Sequence, residues 1–131
     1  MIVFLAIGIQ KSAVPQSEII VFPTIKYNDG SGYNNLTGKF TATVAGLYAF
    51  AKLTCAYLGK SAITAFIHNG HSVLASEVTT PSSENGCTSA QLFVQMLKGD
   101  QMWVESVWYG TQILFTTHVH ETNFTGSLIH G

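Results

Sequence analysis

The sequence predicts an all-β, antiparallel sandwich or barrel, and three observations carry that expectation. No stretch has the period of an amphipathic helix. Short apolar runs instead alternate with turn signals along the whole chain. The pair Asn69-Gly70, between two such runs, is a strong hairpin signal, because a type I′ turn needs positive φ at both central residues. With 131 residues, 47% of them hydrophobic and 10% charged, the chain reads as one domain with a sizeable core, not as a disordered segment.

In order, the expected strands are Ile2–Ile9, Ile19–Tyr27, Lys39–Thr43, Leu47–Tyr57, Ala62–His68, Ser72–Thr79, Thr88–Leu97, Gln101–Tyr109 and Asn123–His130. The first, IVFLAIGI, is as apolar as a signal-peptide core, but no basic residue precedes it and no small-residue cleavage motif follows. It is therefore read as a buried strand of the mature domain, with Met1 as an added start and a native signal peptide removed upstream. Alternation is clearest late in the chain. Ala90, Leu92, Val94 and Met96 share one face against Ser89, Gln91 and Gln95, and Phe124 and Leu128 alternate with Asn123, Thr125 and Ser127. Asp29-Gly30 and Lys98-Gly99-Asp100 mark further tight turns.

Composition also removes function classes. The net charge is −1, and all six basic residues are lysines. Arginine is the preferred reader of phosphates and guanine edges, so its absence argues against a nucleic-acid partner. No apolar run approaches the roughly 18–20 residues that cross a bilayer. Cys55 and Cys87 lack CxxC spacing and read either as one bridge or as two buried thiols. The sequons Asn35-Leu36-Thr37 and Asn123-Phe124-Thr125 make Asn35 and Asn123 glycosylation candidates and lean towards secretion.

Several motifs in a fixed order resemble the globular head of complement C1q, within the C1q/tumour necrosis factor superfamily. They are Val21-Phe22, Tyr27-Asn28-Asp29-Gly30, Tyr33-Asn34, Thr37-Gly38-Lys39-Phe40-Thr41 and Gly46-Leu47-Tyr48-Ala49-Phe50. Further on come His68-Asn69-Gly70, Lys98-Gly99-Asp100-Gln101-Met102-Trp103 and Phe124-Thr125-Gly126-Ser127-Leu128. The resemblance spans essentially the whole chain. It implies a ten-stranded jelly roll assembled as a homotrimer, of the soluble lectin kind found in invertebrates. Collagen-like stalks are common in that family, but no Gly-X-Y repeat occurs here, so the chain is expected to be a head without a stalk, or a fragment. The family's topology sets the strand ending at Tyr57 beside the one beginning near Cys87, which implies a disulfide between Cys55 and Cys87.

Strand direction alternates, so alternate loops share an end. That puts Leu58–Ser61, Thr80–Gly86 and Gly110–Thr122 together, opposite the hairpins at Asn69-Gly70 and Lys98-Gly99-Asp100. Catalysis is not expected. Gly70-His71-Ser72 is not a nucleophile elbow, and Asp29 and Asp100 sit in turns, where a short side chain bonds the backbone. His68 and His71 are read as a cross-strand pair. Tyr48, Phe50, Trp103, Trp108 and Phe124 are expected in the core or the trimer interface. Tyr57 and Tyr109 either stack on a sugar or seal the rim of the sandwich.

His118, His120 and Glu121 are the metal candidates. Zinc needs at least three protein ligands, and two histidines in one chain fall short unless a threefold axis gathers copies. Calcium-binding relatives use acidic side chains in the loop before the last strand. Here that loop reads Thr116-Thr117-His118-Val119-His120, without an aspartate. No cofactor is expected, calcium or a transition metal being the less favoured reading, and the loop is read as a recognition loop.

The expectation is thus a non-enzymatic, secreted, homotrimeric pattern-recognition module of innate immunity. It would bind glycans, such as acidic sugars of the sialic acid type or microbial surface polysaccharides, through Tyr57, Lys60, Ser82, Ser83, Asn85, Tyr109, Thr117, His118 and His120. The alternatives are a cytokine-like trimer engaging a receptor through grooves between protomers, and an extracellular matrix component.

Overall fold

The computed structural model describes residues 1–107 and 112–131, so the expectations placed on Trp108 and Tyr109 lie outside the described residues. Among the described residues there are twelve strands and no helix: β1 (Val3–Ile7), β2 (Ala13–Val14), β3 (Thr24–Asp29), β4 (Tyr33–Asn34), β5 (Lys39–Thr41), β6 (Gly46–Ala56), β7 (Ser61–His68), β8 (His71–Thr79), β9 (Gly86–Met96), β10 (Gln101–Ser106), β11 (Gln112–Ile113) and β12 (Asn123–His130). Two five-stranded sheets, ordered β3-β1-β12-β6-β9 and β4-β5-β10-β7-β8, face each other, and β11 pairs with β2 in a small third sheet. Every pairing is antiparallel. This is the jelly roll, with ten strands in its two main sheets.

Period-two burial builds the sandwich. Along β6, Gly46, Tyr48, Phe50, Lys52 and Thr54 point inward, while Leu47, Ala49, Ala51 and Leu53 face out half-buried. β9 answers in full register from Gly46↔Met96 to Ala56↔Gly86. The interior is an aromatic pile. Phe4 stacks on Tyr33 at 5.1 Å and on Phe40 at 5.2 Å, and it meets Phe124 edge-on at 5.0 Å. Offset and edge-to-face contacts of this kind add about 0.5–1.5 kcal/mol per pair beyond area burial. Gly126 makes room for the pile, since a Cβ there would stand 2.7 Å from the rings of Phe4 and Phe50. Tyr48, Phe50 and Phe124 are buried there, as expected, whereas Trp103 is buried in a second, smaller cluster with Ala65 and Ile67, against Ile19 and Val107.

At the β7–β8 turn Asn69 and Gly70 both have positive φ, 50° and 89°, as the hairpin signal requires. Beyond it His68 and His71 are registered opposite each other. The His68 ring also reaches Asp100 at 3.1 Å, and Asp100 accepts from the Leu97 amide at 3.0 Å. These bonds, the backbone one foremost, lower the Asp100 carboxyl from its ordinary value.

The sequence reading needs one correction of strand bounds and three additions. Ile19–Tyr27 is not one strand. Ile19 forms an isolated bridge to Glu105, Ile20 donates its amide to Val104, and the ladder of β3 starts at Thr24. Pro23, which has no amide hydrogen, separates the two pieces. The pairs β2, β4 and β11 were not anticipated, because two-residue strands leave no periodic trace.

Candidate functional site

At the end of β6 the chain leaves the sheet at Tyr57 and turns back into β7 through Gly59. Gly59 has φ 71°, which a residue with a Cβ adopts only under strain. Thr80, at the end of β8, knits this turn to the next loop. Its hydroxyl lies 2.7 Å from the Tyr57 carbonyl and 3.0 Å from the Lys60 carbonyl, and it accepts from the Lys60 amide at 3.0 Å. Thr80 N–H donates to the Lys60 carbonyl at 2.9 Å, and Gly59 N–H donates to the Pro81 carbonyl at 2.7 Å. Asn85 closes the junction by accepting from the Leu58 amide through Oδ1 at 2.9 Å. Below both loops, Cys55 and Cys87 are directly opposed in the β6–β9 ladder and form a disulfide, with Cα atoms 4.0 Å apart. The alternative of two thiols is thereby removed. A bridge of this loop length contributes about 2–4 kcal/mol, chiefly by constraining the unfolded chain.

The third loop joins through aromatic contacts. Tyr57 is 46% exposed and tilts against Phe115 at 5.3 Å, and Phe115 meets the His120 ring at 6.1 Å. Thr117 organises the turn, accepting at Oγ1 from the amides of Val119 (3.3 Å) and His120 (3.1 Å). Its own amide donates to the His120 carbonyl at 2.9 Å. Thr122 anchors the loop's exit, donating to the Phe115 carbonyl at 2.6 Å and accepting from the Cys55 amide at 3.1 Å.

The structure therefore brings together Tyr57, Lys60, Ser82, Ser83, Asn85, Thr117, His118 and His120 at one end. Tyr57, Lys60, Ser82, Ser83, Thr117 and His118 are exposed there, and Asn85 and His120 are half-buried. Two of the eight are partly spent on the scaffold: Asn85 Oδ1 on Leu58 and the Thr117 hydroxyl on its own turn. Tyr109 lies outside the described residues. Sequence reasoning missed Phe115, Thr80 and Thr122. The segment Gly110–Thr122, expected as one loop, contains β11 and the buried Leu114, which bridges to Ala56. The run Ile113-Leu114-Phe115 was the available signal. Among the described residues no three His, Cys, Asp or Glu side chains gather as a metal set. His118, His120 and Glu121 thus do not form one within a protomer.

Away from this end, the outward face of β1, β12, β6 and β9 carries no charged residue over Val3–Ile7, Leu47–Leu53, Ser89–Gln95 and Asn123–Ser127. A groove of about 380 Å³ runs over Ala49, Ala51 and Gly126 between Val3 and Phe93, and Phe93 stands 71% exposed at its side.

These features match a known class. The C1q domain family profile matches residues 3–129, and the chain belongs to that family. It is similar to mouse complement C1q and tumor necrosis factor-related protein 9, 35% identical over 118 residues, covering 88% of this chain and 34% of that protein. The human protein 9B of the same name is 31% identical over 121 residues, covering 90% of this chain and 35% of that protein. The heavy metal-binding protein HIP of Mytilus edulis is 30% identical over 114 residues, covering 86% of this chain and 53% of that protein. The chain thus spans about a third of the first two and half of the third. Among solved structures, the globular domain of zebrafish complement 1qA superposes with a TM-score of 0.81 at 20% identity, covering 98% of each chain. Murine APRIL at pH 5.0 gives 0.67 at 11% identity, again over 98% of each chain. Both likenesses establish the fold alone. No helix of the described residues is long and apolar enough to cross a membrane.

Proposed function

We propose that the domain is a secreted, homotrimeric recognition module that binds glycans at the end bearing Tyr57, Lys60, Ser82, Ser83, His118 and His120. The observation that carries this reading is the exposed Tyr57 ring, held by Phe115 at an end where three interlocked loops supply hydroxyls, imidazoles and an amine. Sugars present C–H faces that stack on rings and hydroxyls that need paired donors and acceptors, and this end supplies both. With no arginine in the chain, an acidic sugar would rely on Lys60, hydroxyls and backbone amides. Each site is then modest, and three copies supply avidity.

The uncharged face around Val3, Ala49, Ala51 and Phe93 supports the trimer. A knob beside a trough of small residues suits a cyclic, head-to-tail contact between copies. The names of the C1q and tumor necrosis factor-related relatives favour a second reading, a receptor-engaging ligand. The two readings differ in where binding maps, to the loop end of one protomer or to the seams between protomers.

Glycan-array screening of the trimer, followed by Tyr57→Ala and His118→Ala, tests the first reading. Both variants should lose glycan binding several-fold while keeping the trimer and its Tm. Glycan binding unaffected by either variant, but abolished by substitutions near Asn69 or Lys98, would overturn it.

A further inference from the structure

The two sequons look alike in sequence, and each asparagine is half-buried with one side-chain amide bond, yet the residues that follow them differ. Asn35 lies in the turn joining β4 to β5, and β4 is the edge of its sheet. The turn is self-contained. Gly38 N–H donates to the Asn34 carbonyl at 2.8 Å, and Leu36 N–H donates to Asn34 Oδ1 at 2.8 Å. Asn35 Nδ2 makes one bond, to the Pro23 carbonyl at 3.1 Å. An amide nitrogen has two hydrogens, so one remains free. Thr37 is exposed, its hydroxyl only accepting from the Lys39 amide at 3.3 Å, and Leu36 between them is 83% exposed.

Asn123 opens β12, a strand paired on both sides, and is registered against Ile7 and Leu53. Its Nδ2 donates to the Glu121 carbonyl at 2.9 Å. Phe124 is fully buried, and the Thr125 hydroxyl is committed to the Phe4 carbonyl at 2.7 Å. By strand alternation Asn123 shares its face with Thr125 and Ser127, which line the apolar groove. A branched oligosaccharide there would have to stand over the uncharged sheet face.

We propose that Asn35 carries an N-linked glycan in the folded protein and that Asn123 does not; the proposal rests on the reading that the protein is secreted. The donor is a lipid-pyrophosphate-linked oligosaccharide of the secretory pathway. Asn35 Nδ2 forms a bond to the anomeric carbon, the bond from that carbon to the pyrophosphate oxygen breaks, and the lipid pyrophosphate departs as Nδ2 loses its proton. The remaining N–H keeps the bond to Pro23. The glycan stands over Leu36, beside an edge strand whose Tyr33 amide and carbonyl are already capped by the Asn28 side chain at 3.1 and 2.7 Å. It lies on the sheet opposite to the one bearing the uncharged face, leaving that face and the loop end clear.

The test expresses the chain in a eukaryotic cell line behind a supplied secretion leader and treats the secreted protein with peptide N-glycosidase. The parent should lose the mass of one glycan, Asn35→Gln and Thr37→Ala should show no loss, and Thr37→Ser and Asn123→Gln should behave as the parent. A parent without glycan, a glycan that persists in Asn35→Gln, or a parent carrying two glycans would overturn the proposal. Because the leader is supplied, the outcome does not depend on whether the natural protein is secreted. That question is read separately, by probing extracellular fluid of the source tissue.

Discussion

The sandwich interior has two halves that are built on different chemistry, and the change occurs within one turn of the pleat on β6. Up to Phe50 the inward residues join the aromatic pile of Phe4, Phe22, Tyr33, Phe40, Tyr48 and Phe124. Tyr33 and Tyr48 reach backbone partners with their hydroxyls, at Phe22 and Val44, so their polar atoms cost little. Two residues further along, towards the end that bears Tyr57, the inward side chain is Lys52, only 2% exposed. Its ammonium meets the Thr64 hydroxyl at 2.7 Å, the Thr64 carbonyl at 3.2 Å and the Ser76 hydroxyl at 2.6 Å, over the Phe66 ring at 5.3 Å. Three donors find three acceptors, but no carboxylate faces them. Burial accordingly pulls the amine down to about 8 from its ordinary 10.5. The aromatic half stabilises the fold, whereas the polar half is satisfied in hydrogen bonds and still bears a desolvation cost. That cost sits directly beneath the loops that form the candidate site.

The largest expected effect lies in the aromatic half. Phe124→Ala removes a ring in contact with Phe4, Phe22, Tyr33, Phe50 and Phe66 and should cost about 3–5 kcal/mol. Denaturant unfolding measures it, and a loss below about 1 kcal/mol would mean that the pile collapses to refill the space.

Next comes the pH dependence of the polar half. Lys52 sits at about 8 when folded against 10.5 when unfolded, so between those values the unfolded chain binds the extra proton. Stability should therefore rise as pH increases from 8 to 10.5 and level off below 8, where both states carry the proton. The full shift corresponds to about 3 kcal/mol as an order of magnitude. Tyr33 opposes the upper part of this window. Burial raises it to about 12 from 10.0, so stability declines with pH above 10. Melting curves should show the rise from pH 8 to 10 in the parent and none in Lys52→Met; an identical slope in both would assign the effect elsewhere.

The smallest effect sharpens the same contrast. Thr64→Val deletes one acceptor of Lys52 and the Thr64 partner of the Thr54 hydroxyl, 3.1 Å away. It should cost about 1–3 kcal/mol, since an ammonium hydrogen is left unpaired in the interior. In the Lys52→Met background the same substitution should cost much less. Equal costs in both backgrounds would show that the two side chains are not coupled.

Local pattern determined much of this protein on its own. The alternation in β6, β9 and β12, the Asn69-Gly70 hairpin, the sharing of one end by alternate loops and the opposition of Cys55 and Cys87 all follow from strand periodicity, turn chemistry and a family resemblance. Tertiary structure decided the rest. β2 and β11 hold each other across most of the chain's length, and neither is long enough to leave a period of its own. Ile19–Tyr27 read as one strand, but Pro23 broke the ladder, and Ile19 and Ile20 were captured instead by β10. Phe115 looked like part of a polar loop until Tyr57 was folded against it. Asn85 and Thr117 read in sequence as ligand candidates alongside Ser82 and Ser83, and only the loop geometry committed their side chains to backbone amides of the loops. Lys52 sat on the inward parity of β6, yet whether its amine found partners depended on Thr64 and Ser76 from the facing sheet. Side-chain alternation is encoded within a few residues of chain. The choice of partner is made by surfaces that meet only when the two sheets close.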